Sequence, residues 1–142
     1  MFMPTRLRAI AQWEVPLYWH RIEWLLKPVM ERSEVDNTLE DVRQFLLTGN
    51  MQAWHVDWRV IVVTAIQPFG ANAQAPTRRV CQIVYCSGAG LEDWLGDVVE
   101  SLTDWASSMK CDCLRISGRR GWVKKLPEFH ETCTTLERPI CR

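Results

Sequence analysis

A strand, a glycine turn and a long amphipathic helix follow one another in the second half of the chain, and this succession constrains the fold most. The run VCQIVYC, residues 80–86, is apolar on both faces of a strand and stops at the tetrapeptide Ser-Gly-Ala-Gly. Residues 91–110 then carry apolar side chains at helical spacing, with acidic residues near the start, where they suit the helix dipole. Residues 111–117 complete the unit as another short strand. This order predicts a parallel, right-handed crossover.

Two helices are predicted in the first half of the chain. Apolar residues recur at helical spacing between Tyr18 and Met30, and Pro28 is expected to end or kink this first helix. Thr38 and Asp41 have the spacing of a capping box, ahead of a second helix of about ten residues that ends at Gly49.

Strand periodicity begins after the second helix. Residues 51–58 and 59–69 are rich in β-branched and aromatic residues and are expected to pair as a hairpin, and the strand before the glycine turn follows a loop of small polar residues. Beyond the crossover we predict a turn with a short helix over residues 118–126 and a last strand over residues 129–140. The predicted fold is α/β of the α+β type, with a mixed, mostly antiparallel sheet, a central parallel strand-helix-strand unit and helices on both faces.

Length and charge bound the possible functions. The 142 residues are in the size range of one domain, so residues 1–142 are treated as a single unit. The 17 Lys and Arg residues balance 17 Asp and Glu residues, which leaves no long-range field to attract nucleic acid. No apolar run is long enough to cross a bilayer, and the first residues lack a signal-peptide pattern. We therefore expect no membrane partner, no sequence-specific nucleic-acid binding, and a cytoplasmic location.

Six cysteines and eight tryptophans also stand out in this sequence. The cysteines lie mostly in apolar alternating segments, which favours reduced, buried thiols over a disulfide framework. Cys111 and Cys113 form a CxC pair and not the CxxC pairs or Cys/His clusters of zinc sites, so no metal site is predicted. Some of the tryptophans are expected to fill the core and others to anchor a protein interface.

The order of elements, with Gly88-Ala89-Gly90 between a central strand and a long helix, resembles the core of the GNAT superfamily of N-acetyltransferases. In that family the glycine turn binds the pyrophosphate of acetyl-CoA, because bare backbone N–H groups at a helix N-terminus form an anion site. The resemblance implies that Ser87, Gly88, Ala89 and Gly90 would bind acetyl-CoA if the chain uses a cofactor.

Three features depart from the pattern of active family members. The family signature is Gln or Arg, two residues, then Gly-x-Gly, and Tyr85 stands at the Gln or Arg position. Glu92 and Asp93 follow the turn directly, where their charge would repel phosphates. Active members often carry a Tyr after the second parallel strand, and residues 118–122 contain none. The leading hypothesis therefore includes no catalytic residue and no cofactor.

The segment GRRGW, followed by KKLPEF, is similar to the C-terminal pattern of small GNAT-like proteins of tailed bacteriophages, some of which are internal or connector components of the virion. This resemblance implies a non-catalytic structural component of a phage particle, located in the virion or the host cytoplasm. Its partners would be other virion proteins and further copies of itself in a symmetric assembly. The interface candidates are the arginines of a basic turn and tryptophans expected to be exposed, namely Arg119, Arg120, Trp122, Trp13 and Trp19.

An acetyl-CoA-dependent N-acyltransferase is the alternative. In it, the glycine turn would hold the pyrophosphate, the backbone of Cys81–Ile83 would bind the pantetheine arm by strand-like pairing, and Glu14 or Asp57 would serve as the base. A third interpretation is a small regulator that binds a host protein through its tryptophans.

Overall fold

The computed structural model of the chain describes residues 7–31, 37–69, 78–88 and 91–116. Within these ranges, five strands and three α-helices follow one another, with a 3-10 turn at Gln12–Glu14 before the first helix. In chain order they are β1 (Leu7–Ile10), α1 (Val15–Glu31), α2 (Leu39–Thr48), β2 (Gln52–Val56), β3 (Val60–Phe69), β4 (Arg78–Gly88), α3 (Leu91–Ser108) and β5 (Cys113–Ile116). The short helix and the last strand predicted after residue 117 lie outside the described residues.

The strands form one sheet in the order β1-β2-β3-β4-β5. Neighbouring strands are antiparallel from β1 to β4, and β4 pairs with β5 in parallel. Helix α3 connects that parallel pair, which confirms the predicted crossover unit in a mixed, mostly antiparallel sheet.

Helices cover both faces of the sheet, as predicted. Helices α1 and α2 bury their apolar sides against one face, together with strand residues such as Ile61 and Val63. Helix α3 packs on the other face through Val98 and Leu102, against Val60 and Val62. The alternation along β3 is the two-residue period of a strand that is covered on both sides. None of the described helices is long and apolar enough to span a bilayer.

Helix α1 is longer than its apolar spacing predicted. It begins at Val15 and continues through Pro28 to Glu31. Pro28 was expected to end or kink this helix, and it does not end it. Proline lacks the N–H that would bond the carbonyl of Trp24, four residues earlier. Because Pro28 and Trp24 both lie on the exposed side of α1, that carbonyl is on the side open to solvent.

Helix α2 has the ends that its sequence predicted. The hydroxyl of Thr38 accepts a bond from the backbone N–H of Asp41 at 3.1 Å, and the Asp41 carboxylate accepts one from the Thr38 N–H at 2.9 Å. Gly49 closes the helix at a φ of 82°, in the left-handed region that favours glycine. The capping box and the terminal glycine are confirmed.

The hairpin between β2 and β3 has unusual backbone angles. Asp57 and Trp58 have φ values of 50° and 55°, which few residues other than glycine adopt. The backbone N–H of Trp58 donates to Nδ1 of His55 at 3.2 Å, and the two rings stack with their centroids 4.0 Å apart. Tyr18 of α1 lies against Trp58 with a centroid distance of 5.1 Å. These contacts hold the turn against α1 and offset its backbone strain.

Candidate functional site

The candidate site is the C-terminal half of β4, where the parallel pair of strands ends. The pairing of β4 with β5 runs from Val80 opposite Cys113 to Ile83 opposite Ile116. Strand β4 continues to Gly88, and within the described residues no strand pairs with that edge beyond Ile83. Among the described residues, the outer edge of β4 therefore has no strand partner over Val84–Ser87, and we call this stretch the open edge.

A β-bulge lies where this open edge begins. In the register with β3, Thr64 faces Ile83 and Val63 faces Tyr85, so Val84 is an extra residue on β4. A bulge bends its strand and increases the local twist. It also changes which face each side chain takes: Ile83 belongs to the cluster under α3, whereas Tyr85 belongs to the cluster under α1 and α2. In an unbroken strand both side chains would share one face.

The open edge corrects one expectation for the alternative function. The backbone of Cys81–Ile83 was expected to bind the pantetheine arm, and this is wrong. That stretch pairs with β3 on one side and with β5 on the other, so both of its edges are occupied. Among the described residues, the part of that edge without a strand partner begins one residue later, at Val84.

Gly88 has a structural reason to be glycine. Its φ is 146°, and a Cβ at this position would lie 2.1 Å from the carbonyl oxygen of Arg59 and 2.5 Å from Cα of Val60. The close approach of the β2–β3 hairpin therefore excludes any side chain here. Ser87 is half-buried beside it, and Ala89 and Gly90 lie outside the described residues. Helix α3 begins at Leu91, directly after the turn.

Tyr85, at the position of the family's Gln or Arg, is part of the core. Its side chain is 2% exposed and contacts the cluster under α1 and α2. The side-chain amide of Asn37 donates a hydrogen bond of 3.3 Å to its hydroxyl. Burial, more than any charge, raises the pKa of the Tyr85 hydroxyl, and the bond from Asn37 lowers it by a smaller amount. The side chain is thus directed into the interior and remains neutral.

The two candidate bases have structural roles in this fold. The carboxylate of Glu14 accepts a bond from the Ala11 N–H at 3.0 Å, which holds the 3-10 turn ahead of α1. Asp57 lies exposed in the strained hairpin turn. Both carboxylates are close enough to His55 to favour its charged form, yet burial and the nearby Arg8 outweigh them, so the pKa of His55 is lowered. The lowered pKa leaves His55 neutral at pH 7, with a ring nitrogen that can accept a proton.

The tryptophans divide into core and surface residues. Trp54 is buried and its indole donates to the hydroxyl of Thr64 at 3.1 Å. Trp19, expected at an interface, is only half-exposed, since it packs against the core under α1 and the Arg43 guanidinium lies 5.6 Å from its ring. Trp13 is 72% exposed, as an interface residue would be. The other interface candidates, Arg119, Arg120 and Trp122, lie outside the described residues.

The sequence did not single out the most exposed indole among the described residues. Trp24 is 80% exposed and Leu17 is 60% exposed, and both lie on α1. They are seven residues apart, which is two helical turns, so they share one face with Trp13 just before the helix. That spacing was visible in the sequence, but the side of α1 that faces the sheet had to be known before it could be recognised. We call Trp13, Leu17 and Trp24 the α1 stripe.

The described thiols are not arranged as a metal site. Cys111 precedes β5, so it and Cys113 are not both strand residues as the sequence suggested. Burial raises the pKa of Cys81 to about 12, with smaller contributions from Cys111 and Cys113, and burial alone raises that of Cys86 to about 12. Among the described residues, no three His, Cys, Asp or Glu side chains are placed to bind one ion.

A groove of about 330 Å³ lies at the other end of the sheet from Gly88. It is bounded by the last residues of β1, the start of β2 and the end of α2, and by Trp105 of α3. Gln12 and Gln52 supply polar groups in a mostly apolar lining. Because the groove is remote from the bulge and the glycine turn, it is not the site that the family resemblance implies.

No family model and no curated protein matches the sequence. Similar folds do occur among solved structures. A tetramutant of the BH1408 protein from Bacillus halodurans has a TM-score of 0.67 at 11% identity, with 94% of this chain and 99% of that chain covered. A predicted acetyltransferase with acetyl-CoA from Clostridium acetobutylicum has a TM-score of 0.64 at 12% identity, with 94% of each chain covered.

An aminoglycoside acetyltransferase from an uncultured soil metagenomic sample, in complex with sisomicin, is also similar. Its TM-score is 0.64 at 8% identity, with 95% of each chain covered. Identities this low establish the fold and nothing about activity. The fold is GNAT-like, as the resemblance implied.

Proposed function

We propose that this chain is a non-catalytic GNAT-fold protein that acts through protein–protein contacts, as a structural component of a bacteriophage particle. The α1 stripe is the observation that carries the proposal. Three of the four exposed large apolar side chains among the described residues belong to it, and the fourth is Met109. Two exposed tryptophans on one face are typical of an interface, where indoles are enriched at the residues that contribute most to binding.

The residue at the position of the family's Gln or Arg supports a role without cofactor. Tyr85 fills a place in the core, and its hydroxyl accepts a hydrogen bond from the Asn37 side chain. The glycine at position 88 is required by the hairpin whether or not a phosphate binds. The fold thus accounts for both residues without acetyl-CoA.

The phage assignment depends on the likeness of residues 118–129 to the C-terminal pattern of small GNAT-like phage proteins. The test is mass spectrometry of purified particles of the phage that carries the gene. We expect the chain at a fixed copy number per particle. Its absence from particles, with abundant protein in the lysate, would contradict the virion role and leave a free cytoplasmic protein.

An acetyl-CoA-dependent N-acyltransferase is the second candidate, because of one specific observation. The bulge at Val84 and the open edge of β4, which has no strand partner among the described residues, lie next to the start of α3. This is the place where a pantetheine arm would pair like a strand. His55, with its lowered pKa, would be the available base in the described part of the chain.

Calorimetric titration with acetyl-CoA separates the two candidates. Micromolar binding, about 8 kcal/mol, would favour the acyltransferase, and no heat of binding would favour the non-catalytic role. If binding is detected, Ser87→Glu should weaken it, because a carboxylate at the open edge would repel the phosphates. Substitution of Gly88 is unsuitable, since a side chain there collides with Arg59 even in the free protein. Ser108→Glu, at the far end of α3, is the matched control.

A further inference from the structure

We propose that a second copy of this chain docks on α1, with the two α1 helices antiparallel about a twofold axis beside Leu25. The inference depends on the proposed role in protein contacts, and it names the first partner of that surface. In this arrangement Trp24 lies at the centre of the contact, Leu17 lies at the end of the partner's α1, and Trp13 lies beyond that end.

The α1 stripe faces away from the core of its own chain. Ile22 and Leu26 are buried against the sheet, and Leu17 and Trp24 lie on the opposite side of the helix. An indole that is four-fifths exposed leaves most of its apolar area in water, at about 25 cal/mol per Å². Covering it with a like surface recovers that free energy.

A row of ionisable side chains runs beside the stripe. It alternates between basic and acidic residues at helical spacing, and all of its members are exposed. In the part of the chain that the structure describes, none of them forms an ion pair. The row consists of His20, Glu23, Lys27 and Glu31.

The charges of this row complement those of the same row on a second copy that runs in the opposite direction. In an antiparallel pair about a twofold axis, residues on one flank of a helix meet the same flank of the other. With the axis beside Leu25, Glu23 of each copy lies opposite Lys27 of the other, and His20 lies opposite Glu31. A parallel pair about a twofold axis would instead set this row against the opposite flank of the other helix, where Arg21 is the one charged side chain that α1 carries outside the row. Charge complementarity therefore selects the antiparallel arrangement, and it selects a copy of this chain as the partner.

Arg21 does not oppose this contact. It lies on the flank of α1 away from the row, and its guanidinium is held 5.5 Å from the centroid of the Trp58 ring. The cation–π contact draws the charge toward the hairpin. The positive charge of Arg21 is consequently held away from Trp24, at the centre of the contact.

Sedimentation equilibrium of the full chain tests the inference. We expect a species of twice the 16.6 kDa chain mass. Trp24→Gln should raise the dissociation constant about thirtyfold, as for other central interface residues. Met109→Gln is the matched control, since Met109 is also an exposed apolar residue but lies after α3, and it should leave the equilibrium unchanged.

Charge reversal tests the orientation. Glu23→Lys and Lys27→Glu should each be monomeric, because each variant sets like charges against one another in its homodimer. A mixture of the two should form the heterodimer, and the double variant Glu23→Lys/Lys27→Glu should recover the homodimer. Circular dichroism verifies that each variant keeps its helices.

Three results would overturn the inference. These are a wild-type monomer at the highest soluble concentration, a dimer that Trp24→Gln does not weaken, and failure of the mixed variants to associate. A wild-type monomer that is still found in virions, seated on another protein through the α1 stripe, would refute the second copy alone. Absence from virions with an intact dimer would refute the phage role alone.

Discussion

The hydroxyl oxygen of Tyr85 lies 3.3 Å from the side-chain amide nitrogen of Asn37, and this bond links β4 to the residue just before the cap of α2. Tyr85 therefore connects the end of the open strand to the helical layer on one face of the sheet. Position 85, where the resembled family carries Gln or Arg, is a packing position in this chain.

We expect Tyr85→Phe to lower the free energy of unfolding by about 1 kcal/mol, the net contribution of one hydrogen bond. Asn37→Ala should have a similar effect, and the double variant should lose less than the sum because both changes remove the same bond. Urea titration measures all three. Tyr85→Gln, which restores the family residue, should lose about 3 kcal/mol or more through the lost aromatic packing. A Gln variant as stable as the wild type would show that the tyrosine is not a core residue.

Two glycines form a matched pair for substitution by alanine. Gly88→Ala should abolish the native hairpin register, because its Cβ would overlap the Arg59 carbonyl oxygen. Gly96→Ala should stabilise the protein by about 1 kcal/mol, since Gly96 lies inside α3 and a Cβ there has no atom within 4 Å. Thermal unfolding followed by circular dichroism compares them. A folded Gly88→Ala variant would mean that the hairpin can move away, and that the glycine serves something else.

Thr64 is the buried polar residue between two polar side chains of β2. It accepts from the Trp54 indole at 3.1 Å and donates to the amide oxygen of Gln52 at 3.1 Å. Thr64→Val keeps the shape and leaves both partners unpaired, so a loss of about 2 kcal/mol is expected. Thr64→Ser retains the hydroxyl and should lose less, about 1 kcal/mol for one methyl group. Equal losses for the two variants in urea unfolding would show that packing, not bonding, sets the effect.

Acid should weaken the hairpin through His55. Burial, and then Arg8, lower its pKa in the folded protein below the value of 6.5 in the unfolded chain. The unfolded chain thus takes up the proton first, so this stabilisation is complete above pH 6.5 and is lost as the pH falls through 6.5 toward the folded pKa. Protonation also ends the ability of Nδ1 to accept the Trp58 N–H.

The measurement for His55 is the free energy of unfolding between pH 7.5 and about pH 5, for the wild type and for His55→Asn. The asparagine keeps an acceptor oxygen and has no proton to gain in this range. The wild type should lose more stability than the variant as the pH falls. Identical slopes for the two proteins would show that His55 titrates alike in both states.

The sequence predicted the elements whose signals are local. The capping box of Thr38 and Asp41, the terminal Gly49 and the amphipathic period of α3 each depend on neighbours in the chain, and each is confirmed. Strand β1 was missed, since its four residues include two exposed ones and it is recognisable only from its pairing with β2. Pro28 does not end α1, and the side of the helix on which it lies is not given by the local sequence.

The site was harder to predict because one residue changes the phase of β4. A regular alternation would place Ile83 and Tyr85 on the same face, and the extra residue at Val84 places them on opposite faces. Whether Tyr85 points at a ligand or into the core therefore depends on the register with β3, a pairing between distant parts of the chain. The self-complementary row on α1 likewise required the buried side of that helix to be known.

The approach of Arg59 to Gly88 also affects how such a chain can diverge. Purifying selection for folding alone would preserve glycine at position 88 for as long as the hairpin keeps its shape, regardless of whether any nucleotide is ever bound. Glycine at position 88 is therefore weak evidence for a ligand, because the fold requires it in either case. The residue three positions ahead of it, at position 85, is the better indicator.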